Sequence, residues 1–187
     1  MADIWPRWPW GGSPGLWVRS LDQPNLQVLK GTEGASGSAL SADQQLVAFN
    51  RTDQNNDLWI ADLVRRTTTR LTFDAGIDDF PVWSPDGARI VFSSNREGGV
   101  FNLFEKPSGG GGQEQLLLKT SQPKMATDWS RDGRYIVYDE TDATSGADIW
   151  LLPLSGDRKP NRIPANTVQR NPGARLTGWA MARLSLR

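Results

Sequence analysis

Carboxylates are the residues of this sequence whose type and spacing could do chemistry. The 187-residue chain has neither cysteine nor histidine, which excludes disulfides, thiolate nucleophiles, Cys/His zinc sites and any Ser–His or Cys–His catalytic pair. Asp78 and Asp79 are adjacent, while Asp128 and Glu33 occupy related places in other segments. Their oxygens suit a hard cation such as Ca²⁺, which could polarise a phosphoryl or carbonyl oxygen and activate water for hydrolysis.

A repeated element must position these carboxylates. The segments SADQQLVAF, SPDGARIVF and SRDGRYIVY align residue for residue, and their turn residues Asp43, Asp86 and Asp132 are 43 and 46 residues apart. Aromatic residues recur at nearly the same spacing, at Trp17, Trp59, Phe104 and Trp150. Such a period indicates one supersecondary unit per repeat.

Each repeat reads as four short strands. In the clearest copy, apolar segments at 80–84, 89–93, 101–106 and 114–119 are separated by polar turns. The Asp-Gly pair at 86–87 suits a tight turn because glycine takes a positive φ without steric cost. The glycine run 109–112 lacks the lysine and Ser/Thr of a phosphate-binding loop, so it is predicted to be a flexible hairpin loop. Four antiparallel strands in about 40–45 residues predict a β-propeller blade.

The sequence therefore predicts an all-β protein, an incomplete β-propeller of about three and a half four-stranded blades. A Trp-rich segment, 1–14, precedes a partial blade that contributes only two outer strands, 15–31, and three further blades, 35–74, 79–120 and 125–160. The innermost strands of neighbouring blades converge on the propeller axis. We therefore expect Glu33, Asp78 and Asp79 as metal ligands, and Asp78, Asp79 and Asp128 as catalytic groups.

Structural interpretations of the same residues stay open. Asp128 would bond to neighbouring backbone, and Asp78 and Asp79 would be solvated. The periodic Trp17, Trp59 and Trp150 favour packing, whereas Trp5, Trp8 and Trp10 lie outside the period and would cover an open face or bind a ligand. Nothing in the sequence marks any one of three lysines, Lys106, Lys119 and Lys124, as a buried amine.

WSPDGARIVFSSN (83–95) and DWSRDGRYIVY (128–138) resemble the repeat of TolB-like β-propellers. The resemblance covers about residues 15–160, and is closest to the C-terminal propellers of some bacterial serine/threonine protein kinases. It implies an interaction or sensing module. No HRD, DFG or VAIK motif is present, so kinase activity is excluded. Some other propellers hydrolyse phosphotriesters or lactones with axial calcium, which is an analogy of fold alone.

The repeat stops near Asn161. The next turn is expected near residue 178, where the chain reads LTGWAMARLS. Codons for Leu176–Ser185 can be chosen so that reading one nucleotide later gives SPDGRWLAY, which is the missing repeat. We therefore interpret 161–187 as an off-frame tail and a candidate interface segment, and sequencing of the coding DNA tests this hypothesis.

An incomplete ring predicts self-association. Burying one large apolar side chain is worth about 1.5–3 kcal/mol, so several left in water would exceed the margin of about 5–15 kcal/mol that keeps a domain folded. A homodimer or larger closed oligomer would cover the exposed blade faces.

Two function classes follow. The first is a self-assembling propeller fragment that serves as a binding scaffold derived from a sensor propeller. The alternative is a promiscuous hydrolase that uses Ca²⁺ or another hard divalent cation on a small-molecule ester, in an axial or inter-subunit pocket. The 21 basic and 21 acidic residues cancel, so no nucleic acid partner is expected. No apolar run of membrane-spanning length and no signal peptide is expected either, and the sequence does not indicate a compartment.

Overall fold

A computed structural model describes residues 2–7, 15–20, 25–52, 56–144 and 146–164, and every regular element in these residues is a β-strand. The strands, in chain order, are β1 (Ala2–Arg7), β2 (Gly15–Ser20), β3 (Gln27–Val28), β4 (Ala35–Leu40), β5 (Leu46–Arg51), β6 (Asp57–Asp62), β7 (Thr67–Arg70), β8 (Asp78–Trp83), β9 (Arg89–Ser94), β10 (Asn102–Pro107), β11 (Gln115–Leu118), β12 (Lys124–Trp129), β13 (Tyr135–Asp142), β14 (Gly146–Pro153) and β15 (Asn161–Arg162).

Four antiparallel sheets succeed one another along the chain. The first contains β1–β3, the second β4–β7, the third β8–β11 and the fourth β12–β15. Within each sheet, strands that are consecutive in sequence pair with each other. The leading strands β4, β8 and β12 contact one another and form the inner side of the stack. The prediction of an all-β, incomplete propeller is thus confirmed.

The Asp-Gly turns form as the repeat predicted. Gly87 has a φ of 71°, and its N–H donates to the Ser84 carbonyl at 2.9 Å. Asp86 Oδ1 accepts hydrogen bonds from the Ser84 hydroxyl at 2.5 Å and the Ala88 N–H at 3.0 Å. Asp132 makes the equivalent bonds in the fourth sheet, so both aspartates are turn residues.

Apolar side chains fill the space between successive sheets. Between the second and third sheets they form one cluster, which comprises Ala48, Leu58, Leu71, Trp83, Ile90, Phe92 and Phe104. A second cluster joins the third and fourth sheets, and comprises Val91, Leu103, Ala126, Trp129, Ile136, Tyr138 and Leu152. Trp59 and Trp150 pack against such clusters, which confirms the predicted packing role for these two periodic tryptophans.

The first sheet differs from the prediction, because it has three strands and not two. β1 pairs with β2 from Ala2 opposite Ser20 to Arg7 opposite Gly15. Pro6 is tolerated in β1 because β1 is the edge strand and needs partners on one side only. Trp5 lies in β1, whereas Trp8 and Trp10 lie outside the described residues.

Candidate functional site

The inner strands carry three of the four carboxylates that the sequence singled out, Asp78 and Asp79 in β8 and Asp128 in β12. The first residues of β8 and β12 are held by the preceding sheet, because the Asp78 N–H donates to the Asn56 carbonyl at 3.0 Å and the Lys124 N–H to the Phe101 carbonyl at 2.9 Å. Asp78 and Lys124 are 46 residues apart and occupy equivalent places. Both are fully buried, at 0% exposure.

Asp78 is the anion of a buried ion pair. Arg96 Nη2 lies 2.8 Å from both carboxylate oxygens of Asp78. Arg96 also donates from Nε to the Ser94 hydroxyl at 2.9 Å, forms an ion pair with Glu114, and lies 4.7 Å over the Phe104 ring. The alternative expectation that Asp78 is solvated is therefore wrong, and its carboxylate is engaged by a cation of the chain.

Asp79 has different surroundings from its neighbour. Its side chain is half-buried, and Oδ1 accepts the Phe80 N–H at 2.7 Å. Phe80 has a φ of 55° and lies in an irregularity of the β8–β9 pairing between Asp79 and Val82. Burial raises the pKa of Asp79, and the bond from Phe80 offsets part of that rise.

Asp128 accepts a hydrogen bond from the next backbone N–H, that of Trp129, at 2.8 Å. This confirms the structural interpretation of Asp128. The surrounding protein reduces hydration of its carboxyl group and raises its pKa, while the Trp129 bond and the charge of Arg131 act in the opposite direction. Asp128 lies opposite Val137 in the fourth sheet, whereas Asp78 and Asp79 lie opposite Ser94 and Ser93 in the third sheet.

Glu33 is exposed in the loop before β4, where its Oε1 accepts the Gly31 N–H at 3.3 Å. Across the described ranges, no group of three or more acidic side chains is arranged to hold a metal ion. The structure therefore does not bring Glu33, Asp78 and Asp79 together as the expected ring of oxygens. The catalytic roles predicted for Asp78, Asp79 and Asp128 stay predictions from the sequence.

Two buried lysines were not distinguished by the sequence. Lys124 Nζ donates to the Gln122 carbonyl at 2.5 Å and lies 3.3 Å from Glu140; burial lowers its pKa, and Glu140 offsets part of the effect. Lys106 donates to the Leu71 carbonyl of the second sheet at 2.6 Å and to Glu114 at 3.1 Å. The repeat aligns Lys124 with Asp78, which indicates an equivalent place in the blade but does not indicate that this place is buried.

Asp57 is a further buried acid, 1% exposed, and it lies 2.5 Å from Arg70 Nη2. Its other oxygen, Oδ1, is buried and has no hydrogen-bond partner within the part of the chain that the structure describes. Burial raises the pKa of Asp57, and the negative charge of Asp78 adds to the rise, whereas Arg70 lowers it. The Asp57–Arg70 pair lies within the second sheet, and the repulsion between Asp57 and Asp78 acts across the boundary with the third sheet.

We expect the raised pKa of Asp79 to give stability a pH dependence. Below the unfolded-state pKa of 3.8, the Asp79 carboxyl is protonated in both the folded and the unfolded protein. As pH rises from this value through the higher folded-state pKa, the folded protein loses stability, because its carboxyl must ionise where it is poorly hydrated. Asp79→Asn should therefore be more stable than wild type at pH 7, with a difference that vanishes near pH 3.5. Urea unfolding across this pH range measures the difference.

Asp132→Asn is the control for that experiment and should behave in the opposite way. The Ser130 hydroxyl and the Arg134 N–H lower the pKa of Asp132 to about 2, so its contribution is present above 3.8 and is lost as pH falls. The Asp132→Asn variant should be less stable than wild type at pH 7. An Asp79→Asn variant that is destabilised at pH 7 and insensitive to pH would contradict the prediction.

The geometry on its own defines the chain as part of a β-propeller, a series of one three-stranded and three four-stranded antiparallel sheets packed face to face. The family comparison agrees, since the TolB β-propeller domain matches residues 10–159. The chain belongs to the TolB β-propeller family. In the described residues there is no helix long or apolar enough to span a membrane.

Solved structures and curated relatives are similar to this chain over part of their lengths. TolB from Acinetobacter baumannii matches with a TM-score of 0.69 and 23% identity, covering 80% of this chain and 37% of that one. A TolB homologue from Agrobacterium tumefaciens matches with a TM-score of 0.71 and 19% identity, covering 82% and 57%. Tricorn protease homolog 1 of Streptomyces coelicolor is 29% identical over 130 residues, which are 68% of this chain and 11% of that protein. These likenesses support the fold, and the chain spans well under two thirds of each of these proteins.

Proposed function

We propose that this chain is a self-assembling β-propeller scaffold with a role in binding. Copies of the chain associate through the faces of their β-sheets. The observation that supports this most directly is that each boundary between the second, third and fourth sheets combines an apolar cluster with a hydrogen bond between the sheets. At the boundary between the third and fourth sheets, the Ala126 N–H donates to the Ser93 hydroxyl at 2.9 Å, in addition to the apolar cluster. Lys106 forms the corresponding polar link between the third and second sheets.

The fourth sheet also carries apolar side chains on the face that points away from the third sheet. Its side chains alternate, and those that face the third sheet include Ile136, Tyr138 and Leu152. The intervening residues make up what we term the outer face: Met125, Asp128, Val137, Asp139, Ile149 and Leu151. No described strand outside the fourth sheet packs against this face.

A second copy of the chain is the simplest cover for the outer face. Val137, Ile149 and Leu151 correspond in register to Val91, Leu103 and Glu105 of the third sheet. Val91 and Leu103 belong to the apolar cluster that the fourth sheet covers. Val137 is already buried, at 8% exposure, so the gain would come from Ile149 and Leu151, which are partly exposed. Burial of each would contribute less than burial of a fully exposed aliphatic side chain, which is worth about 1.5–3 kcal/mol. With four sheets per chain, two copies supply eight sheets, within the four to eight blades with which propellers close.

The solution mass tests the proposal. Light scattering on a size-exclusion column should give about twice the chain mass of 20.7 kDa. Leu151→Arg, which places a charge on the outer face, should convert the dimer to a folded monomer. Val64→Arg is the matched control, because Val64 is 70% exposed on the second sheet and should leave the mass unchanged.

A wild-type monomer at every accessible concentration would overturn the proposal. A dimer that survives Leu151→Arg would show that another surface joins the copies.

A further inference from the structure

The outer edge of the second sheet is unusually regular. β7 pairs with β6 at all four of its residues, from Thr67 opposite Asp62 to Arg70 opposite Trp59, without a register shift. The other described outer strands are protected by length or irregularity, since β3 and β15 have two residues each and the pairing of β11 shifts register. Edge strands are usually kept short or bulged because their free backbone groups invite further pairing.

The free backbone groups of β7 can be assigned from its pairing. The Leu71 N–H donates to the Leu58 carbonyl at 2.8 Å, and hydrogen-bonded positions alternate along an antiparallel pair. Thr69 and Thr67 therefore direct their N–H and C=O groups toward β6. The N–H and C=O groups of Thr68 and Arg70 point away from β6, along the outer edge of the sheet.

A groove lies beside this edge. Its volume is about 190 Å³. Apolar residues Leu46, Ile60 and Leu71 line it together with Thr67 and Thr69 of β7, and the loop at Gly109 and Gly110 also borders it. A Cβ placed on Gly109 would meet no atom within 4 Å. The groove is open to a side chain that arrives from outside the sheet.

Exposed apolar and basic residues bracket β7. Val64 precedes the strand and is 70% exposed, and Phe73 follows it and is 65% exposed. Arg65 and Arg66 are exposed in the turn that leads into β7. Arg65 lies 2.7 Å from Asp62, so these three residues together carry one net positive charge. The edge thus combines free backbone groups, a groove for side chains and a positively charged end, which are the requirements for strand addition.

We propose that β7 and its groove bind an extended peptide as a fifth strand of the second sheet. Backbone hydrogen bonds to Thr68 and Arg70 hold the peptide, and one of its alternate apolar side chains enters the groove. An acidic residue of the peptide lies near Arg65 and Arg66. The site is separate from the outer face of the fourth sheet, so its test and the measurement of assembly succeed or fail independently.

The probe is a synthetic peptide, acetyl-Glu-Val-Thr-Val-Glu-amide, titrated into the full chain labelled with ¹⁵N. Saturable shifts of the amide signals of Thr68 and Arg70 are expected, and they should weaken at high salt because the charged end is exposed. The same peptide with N-methylated backbone lacks the donors for the edge and should bind at least ten-fold more weakly.

Two variants separate the edge from the groove. Thr68→Pro removes an N–H that points away from β6, so it should weaken binding at least ten-fold while the sheet persists. Gly109→Phe leaves the sequence of β7 unchanged but adds a ring at the border of the groove, and should also weaken binding at least ten-fold. Gly111→Phe is its matched control, since Gly111 also has open space around its Cβ position but does not line the groove, and should bind as wild type does.

Several outcomes would overturn the proposal. These are absence of binding at millimolar peptide, shifts confined to residues away from β7, and equal effects of Gly109→Phe and Gly111→Phe. The solution mass of Thr68→Pro is measured in parallel, and a change in that mass would assign the edge to a second copy of the chain. Should Thr68→Pro fail to fold, the glycine pair still decides the question.

Discussion

Arg96→Met is expected to lower the free energy of unfolding by about 3–5 kcal/mol, the range for breaking a buried ion pair by removing one partner. Asp78 is fully buried, and Arg96 Nη2 is 2.8 Å from both of its carboxylate oxygens. Methionine preserves much of the side-chain volume over the Phe104 ring but leaves the Asp78 charge without its cation. Urea unfolding followed by tryptophan fluorescence measures the loss.

A second substitution tests the reason for this loss. Adding Asp78→Asn to Arg96→Met removes the unpaired charge, so the double variant should be more stable than Arg96→Met alone. Arg65→Met is the matched control, because Arg65 is 80% exposed in its pair with Asp62 and should change stability little. If the double variant is as unstable as Arg96→Met, an uncompensated Asp78 is not the cause.

Phe92→Ala is expected to cost about 3–5 kcal/mol, the usual range for removing a buried ring. Phe92 is 0% exposed and stacks on Phe104 with the ring centroids 6.0 Å apart, in the cluster between the second and third sheets. The cavity would lie at a sheet boundary, so both the packing of one sheet and its docking on the next are weakened. Thermal and urea unfolding report the change.

Phe73→Ala is the matched control for Phe92→Ala, since it removes the same ring from the surface. Phe73 is 65% exposed, and its described contacts include Arg70 at 4.8 Å and Lys106 at 5.6 Å from the ring centroid. An exposed cation–π contact is worth about 0.5–1 kcal/mol, so the loss should stay near that value. Comparable losses for Phe73→Ala and Phe92→Ala would mean that the sheet boundary is not the stabilising core.

Much of the fold could be predicted because its causes are local and periodic. Asp86 and Gly87 specify a turn through hydrogen bonds that span a few residues and a positive φ that favours glycine. Alternating apolar residues such as Ile90 and Phe92 specify a strand with one face toward a neighbouring sheet. Repetition of these signals at a fixed period then specified the succession of sheets.

β1 shows where local signals fail. The repeat does not predict a strand in this segment, yet β1 forms by pairing with β2 along six residues, and its proline is tolerated at a sheet edge. The off-frame tail proposed for 161–187 stays a hypothesis, since 165–187 lie outside the described residues.

The sequence by itself determined the repeating strands, the turns and the class of protein, because each depends on residues a few positions apart. Only the tertiary structure decided the state of the charges. Asp78 and Arg96 are 18 residues apart, and neither their types nor their spacing indicates that one is fully buried and bound to the other. Burial is set by which sheet packs on which, and that packing turned an expected metal ligand into half of an internal ion pair.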